Sequence, residues 1–260
     1  MNTLDTVRSL MSRYEGLEIG GIRDGQLQRR INSFARRNSI EDEAELVAML
    51  RRDSHLRERL IDALTINVTS VFRNAASWDL LRTDLMPSMG RRIKMWSAGA
   101  STGAEAYTMA ISARENGQAA DIVATDIDQR SLDKAMIGRY PRQELGECPP
   151  DIREKYFTED GDGWLVDPSL RRSIRFKKHD LLAEPVVGRG FDLIACRNVV
   201  IYFSRDAQND LHKRLAEALR PGGILFIGGA ERVANPDAIG LEAAARPFYV
   251  RKTTVKAVAV

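Results

Sequence analysis

The chain has 260 residues, 43% of them hydrophobic and 29% charged, with a formal net charge of +3. This is the make-up of an ordinary globular protein and excludes a disordered or fibrous chain, while the length allows one large domain or a small one joined to a larger. So small a net charge does not by itself argue for nucleic acid, and its distribution matters more than its sum.

In chain order, Asp5, Arg8 and Arg13 interrupt the N-terminal window where a signal peptide would sit. No later segment approaches the ~18 uninterrupted apolar residues of a membrane span. The expectation is a soluble, cytoplasmic protein without membrane insertion. Residues 1–66 read as helices, because apolar residues recur at three and four. Leu27, Ile31 and Phe34 form one such stripe, with Arg29, Arg30, Arg36 and Arg37 on the side facing away from it. A second helix is expected over 41–51, capped by Ser39, and a third over 54–64. Residues 67–90 read as a polar connection.

Beyond it, short apolar runs alternate with helical stretches, as in a βαβ sheet. The expected strands are 93–98, 122–125, 191–196, 223–228 and 248–251, and the expected helices 103–116, 129–137 and 205–219. Residues 149–178 break the alternation and read as a helix to about 157, then a hairpin turning at Asp160-Gly161-Asp162-Gly163. The fold class is therefore α/β: a Rossmann-like sheet over 91–260 with a hairpin insertion at about 155–178, preceded by a small all-helical domain.

Two loops of this sheet carry a ligand signature. Ala98-Gly99-Ala100-Ser101-Thr102-Gly103 follows the first strand and opens a helix, where glycines admit a ligand to the backbone and a helix start offers unpaired N–H groups. The spacing is not G-x-G-x-x-G, so the dinucleotide fingerprint is absent. The next strand ends in Ala124-Thr125-Asp126-Ile127-Asp128, placing a carboxylate where it accepts both hydroxyls of a ribose. A tight turn without ligand and a helix cap by Asp128 are the plain alternatives. Together the two loops point to an adenosine-containing ligand. The run from Phe191 to Phe203 then places Arg197, Asn198 and Tyr202 at the edge where a cofactor's reactive group would lie. Cys148 and Cys196 lie far apart, and no cluster offers metal-ligand spacing, so reduced thiols and no metal are expected.

Four stretches, TINVTSVFR (65–73), WSAGASTGAEAY (96–107), ATDID (124–128) and CRNVVIYF (196–203), stand in the order and spacing of the chemotaxis receptor methyltransferases, the CheR family, which this chain resembles over nearly its whole length. The resemblance implies S-adenosylmethionine as cofactor, S-adenosylhomocysteine as product, and receptor glutamate carboxylates as acceptors. It implies that residues 1–66 dock the receptor, 67–90 contribute to the cofactor site and 91–260 bind the cofactor. Asn67, Thr69 and Arg73 look like linker residues that reach the cofactor, Glu105 like the carboxylate at its methionine end, and Asp126 like the ribose acid. Gly99 belongs to the cofactor loop, Asp180 and Leu181 stand where the family holds adenine, Asn198 and Tyr202 match the post-strand residues beside the transferable methyl, and Arg197 is counted with the cofactor-binding residues. Tyr202 and Arg73 are the implied catalytic side chains, and Arg29, Arg30, Arg36 and Arg37 the implied receptor-docking row.

The chain departs from the family in having Ala104 for a second Glu, Ala106 for a Pro and Gly229 for a His. A receptor glutamate, with a reference pKa of about 4.3, arrives ionised and needs no general base. The implied partner is a chemoreceptor cytoplasmic domain rather than nucleic acid, met by a monomer. The rival readings are methylation of a nucleic acid or small molecule, and a regulatory module that binds without turnover. Against a base methyltransferase, Cys196-Arg197-Asn198-Val199 is not an N/D-P-P-Y/F run.

Overall fold

The computed structural model describes residues 3–15, 19–64 and 69–253. Helices α1 (Thr3–Glu15), α2 (Asp24–Arg37), α3 (Glu43–Arg52) and α4 (Ser54–Leu64) pack around Val7, Met11, Leu27, Ile31, Leu50 and Leu60. The stripe of α2 is buried as its spacing requires. Ser39 does not cap α3. It stands at φ +55° just past α2, where its N–H and that of Ile40 bond back to the carbonyls of Arg36 and Ala35, the pattern that ends a helix. Asp42 caps α3 instead, accepting the Ala44 N–H at 3.2 Å.

The connection after α4 is more structured than its polarity suggests. Helix α5 (Ala75–Leu80) runs into a π turn and a 3-10 turn that end at Met89, and it buries Trp78, Leu81 and Met86. The large sheet follows: β1 (Arg92–Ala98), α6 (Ala104–Glu115), β2 (Ala119–Asp126) and α7 (Gln129–Ile137). Next come β3 (Arg139–Pro141), α8 (Pro150–Tyr156), β4 (Phe157–Asp160), β5 (Gly163–Val166), α9 (Pro168–Arg171) and β6 (Ile174–Lys178). The chain closes with β7 (Phe191–Cys196), α10 (Arg205–Ala218), β8 (Leu219–Ile227), β9 (Leu241–Ala243) and β10 (Phe248–Arg251).

Seven strands pair in the order β6-β2-β1-β7-β8-β10-β9, and β3-β5-β4 form a separate antiparallel sheet. The pairings from β6 to β8 are parallel, and β10 returns antiparallel to β8 and β9. The two sheet faces bury separate cores: along β1, Ile93 and Met95 point into one with Trp78 and Met109, while Trp96 and Ala98 point into the other with Leu211 and Leu215. Nine of the twelve residues of α6 are buried. Such all-round burial marks a helix covered on every side rather than an amphipathic surface helix.

The expected hairpin is β4 and β5, with Gly161 and Asp162 as its turn. It ends sooner than the sequence suggests. Residues 174–178, read as part of the insertion, are β6, the edge strand of the large sheet beside β2. The third strand of the small sheet, β3, pairs with β5 and carries no alternating pattern to reveal it.

Candidate functional site

In chain order the large sheet grows from β1 outward to β2 and then, on the other side, to β7, so the loops after β1 and β7 part at the sheet's switch point. A cavity of about 220 Å³ lies there. Its walls come from both parts of the molecule and the connection between them: Ile19, Ile22 and Leu64 from the helical domain, Thr69, Arg73 and Trp78 from the connection, and the loops after β1, β2, β6 and β7 from the sheet.

The loop after β1 is held open toward the cavity by its backbone. The N–H groups of Gly99 and Ala100 both donate to the carbonyl of Thr125 at 2.8 Å. Gly99 has φ +88°, and a Cβ there would meet Val199 Cγ2 at 2.4 Å. Only glycine satisfies both constraints. The Ser101 N–H donates to Asp126 Oδ2 at 2.7 Å and the Asp128 N–H to Oδ1 at 3.0 Å, so the strand-tip acid is locked against that loop. Burial is the largest influence on Asp126 and pushes its carboxyl up, opposed by these N–H groups.

Next to it, Asp180 Oδ1 accepts the Leu182 and Ala183 N–H groups at 2.8 and 3.1 Å. Its Oδ2 is buried without a protein partner. An orphaned carboxylate oxygen on a cavity wall fits a donor such as the amino group of adenine. Leu181, buried beside it, supplies apolar surface.

At the other end, Glu105 accepts from Ser97 Oγ at 2.7 Å and faces Arg197 Nη1 at 3.5 Å. Burial raises the Glu105 carboxyl and lowers the Arg197 guanidinium, each opposed by the other's charge. Arg197 lines the cavity, but its terminal nitrogens are engaged by protein: Nη2 donates to the Arg73 carbonyl at 2.8 Å and to Asn74 Oδ1 at 3.0 Å, while Nε is buried without a partner. Its guanidinium lies 4.4 Å from the ring centre of Phe226 and 5.3 Å from that of Trp78. It ties the linker to Glu105 rather than reaching freely into the cavity.

The loop after β7 turns at Asn198, which stands at φ +59°. Glu231, which the sequence reading overlooked, holds it there. Its Oε2 accepts the Gly228 N–H at 2.6 Å and the Asn198 N–H at 3.1 Å, and burial raises its carboxyl. Gln208 of α10 secures the carbonyls of Val200 and Phe203 at 2.8 and 3.1 Å. Nothing in the local sequence marks Glu231, since its bonds depend on two strand ends meeting.

The structure thus brings Thr69, Arg73, Gly99, Glu105, Asp126, Asp180, Leu181, Arg197, Asn198 and Tyr202 to one cavity. Asn67 lies outside the described residues. The arginines of α2 divide. Arg29, Arg36 and Arg37 are exposed, but Arg30 is not: although it lies on the same flank of α2 as Arg37, it is half-buried, bonded to the Leu64 carbonyl and set against the Tyr202 ring. Among the described residues no group of His, Cys, Asp and Glu has a metal-binding arrangement.

This sheet with its switch-point cavity defines the class I, Rossmann-like S-adenosylmethionine methyltransferases. Residues 67–246 match the family model of the CheR methyltransferase SAM-binding domain, and residues 2–65 match that of the CheR methyltransferase all-alpha domain. A chemotaxis protein methyltransferase of Listeria monocytogenes is 36% identical over 248 residues, 93% of this chain and 94% of the relative. Chemotaxis protein methyltransferase 1 of Pseudomonas aeruginosa is 32% identical, covering 88% and 90%, and that of Vibrio cholerae 32%, covering 85% of each. The chain belongs to the CheR methyltransferase family, and it is an S-adenosylmethionine-dependent enzyme.

Proposed function

We propose that the chain methylates glutamate side chains on the cytoplasmic helices of chemoreceptors, yielding glutamate methyl esters and S-adenosylhomocysteine. The observation that carries this reading is the contact of α2 with the cavity's Tyr202: Arg30 lies against its ring, and the same helix exposes Arg29, Arg36 and Arg37. An acidic receptor helix held on that face is presented at the reacting edge. In this assignment residues 1–66 dock the receptor, 67–90 complete the cofactor site and 91–260 hold the cofactor. The enzyme works as a monomer in the cytoplasm, where such helices lie.

S-adenosylmethionine supplies an electrophilic methyl on a sulfonium. Asp126 accepts the ribose hydroxyls, Asp180 the adenine amino group against Leu181, and Glu105 the amino group of the methionine end. Gly99 gives the backbone room, and Asn67, Thr69, Arg73 and Asn198 close the site, with Arg197 keeping Glu105 and the linker in place. Tyr202 orients the acceptor carboxylate by a hydrogen bond and Arg73 guides it in. The acceptor is already an anion, so catalysis is mainly positioning and exclusion of water. Too tight an arginine pairing would hold back the ground state, because charge is lost toward the transition state.

Incubation of the chain with methyl-labelled cofactor and receptor-rich membranes tests this. Label released from receptor bands by mild base is the expected result. Label in nucleic acid, or cofactor binding with no transfer, would overturn it.

A further inference from the structure

Arg30 differs from its neighbours on α2 in what it touches. Its Nη1 donates to the carbonyl of Leu64, the last residue of α4, and its guanidinium carbon lies 4.2 Å from the centre of the Tyr202 ring. A helix C-terminus and the face of an aromatic ring both attract cations, and a flat guanidinium serves both at once.

The same two segments are joined along their backbones. The Arg23 N–H donates to the Tyr202 carbonyl at 3.1 Å, the Ser204 N–H donates to the Gly21 carbonyl at 2.8 Å, and Ile22 bridges Phe203. The Arg23 side chain reaches the carbonyl of Ile201. These bonds set the path of the loop. They leave the Tyr202 ring its own side-chain torsions, which a contact on the ring face restricts.

We infer that Arg30 is a positioning residue for methyl transfer and no part of the docking row: it holds the Tyr202 ring in the rotamer from which its hydroxyl meets the acceptor carboxylate. The helix that grips the receptor is thereby fixed to the side chain that aligns the reacting group. This inference rests on the reading of Tyr202 as the acceptor-orienting residue.

Receptor-methylation kinetics of the full chain carrying Arg30→Met or Arg30→Lys, each also with Tyr202→Leu, test it. Arg30→Met is expected to lower kcat about tenfold, the scale of a partly buried cation–π contact, with receptor KM and cofactor Kd unchanged. Arg30→Lys keeps a cation and restores most of the loss, and in the Tyr202→Leu chain Arg30→Met costs nothing more. A raised receptor KM with native kcat would make Arg30 a docking residue. An equal loss of kcat in the Tyr202→Leu chain would show that it acts through α4 or overall folding, and either result overturns the inference. A Tyr202→Phe chain with native kcat would instead remove the reading beneath it.

Discussion

Gly99 shows how closely the cofactor loop is fitted at a single residue. Its φ of +88° and the Val199 methyl at 2.4 Å from any added Cβ impose two separate penalties on a side chain. Gly99→Ala is expected to weaken S-adenosylmethionine binding about tenfold by calorimetry, the scale of one left-handed non-glycine residue plus a local shift. Adding Val199→Ala removes the collision but not the torsional strain, so affinity returns only in part; a native Kd in the single variant would refute the account. Gly99 and Asp126 were legible in the sequence because loop glycines and strand-tip acids announce themselves locally. Glu231 was not, because its two N–H partners are Gly228 and, 33 residues away, Asn198.

Among the elements, α10 carries a buried group with a measurable pH signature. His212 is 1% exposed, both ring nitrogens lack partners, and burial pushes its pKa down from 6.5 to about 4. Between those values the unfolded chain takes up a proton that the folded chain refuses, so stability is lost as pH falls from about 6.5 toward about 4, by at most ~3 kcal/mol. His212→Leu should keep the fold at neutral pH, and its Tm should drop less than the parent's on acidification from about pH 7 to about 4.5. Parallel Tm curves for the two chains would rule out this role for His212. The elements themselves were read well where apolar periodicity is strong. β6 was assigned to the hairpin insertion because an edge strand bearing exposed Arg175, Lys177 and Lys178 lacks the apolar run of a sheet strand, although such charges are what shield a sheet edge.

For the whole molecule, the exposed row of Arg29, Arg36 and Arg37 predicts how the enzyme finds its substrate. Reversing all three to Glu should raise the receptor KM and flatten its dependence on ionic strength, since surface charges act over about one Debye length of ~10 Å at moderate salt. Cofactor Kd, measured separately, should stay at its native value. Equal loss of both would place these arginines in the fold rather than in docking. The two domains meet through further charges as well, Arg130 of α7 reaching Asp62 and the Glu58 carbonyl of α4 at 2.7 and 2.6 Å. The helical domain is thus anchored to the sheet through α4.

By itself the amino-acid sequence determined the alternation of strand and helix, the glycine loop and the acid at the tip of β2. Each follows from periodicity or backbone torsion within a few residues of the chain. Only the tertiary structure decided which arginine of α2 faces water and which faces Tyr202. Counted at 100° per residue, only Arg29 and Arg36 lie opposite the buried stripe; Arg30 and Arg37 lie on one flank of it, and what covers each point of a flank depends on how α4 and the loop after β7 come to rest against it.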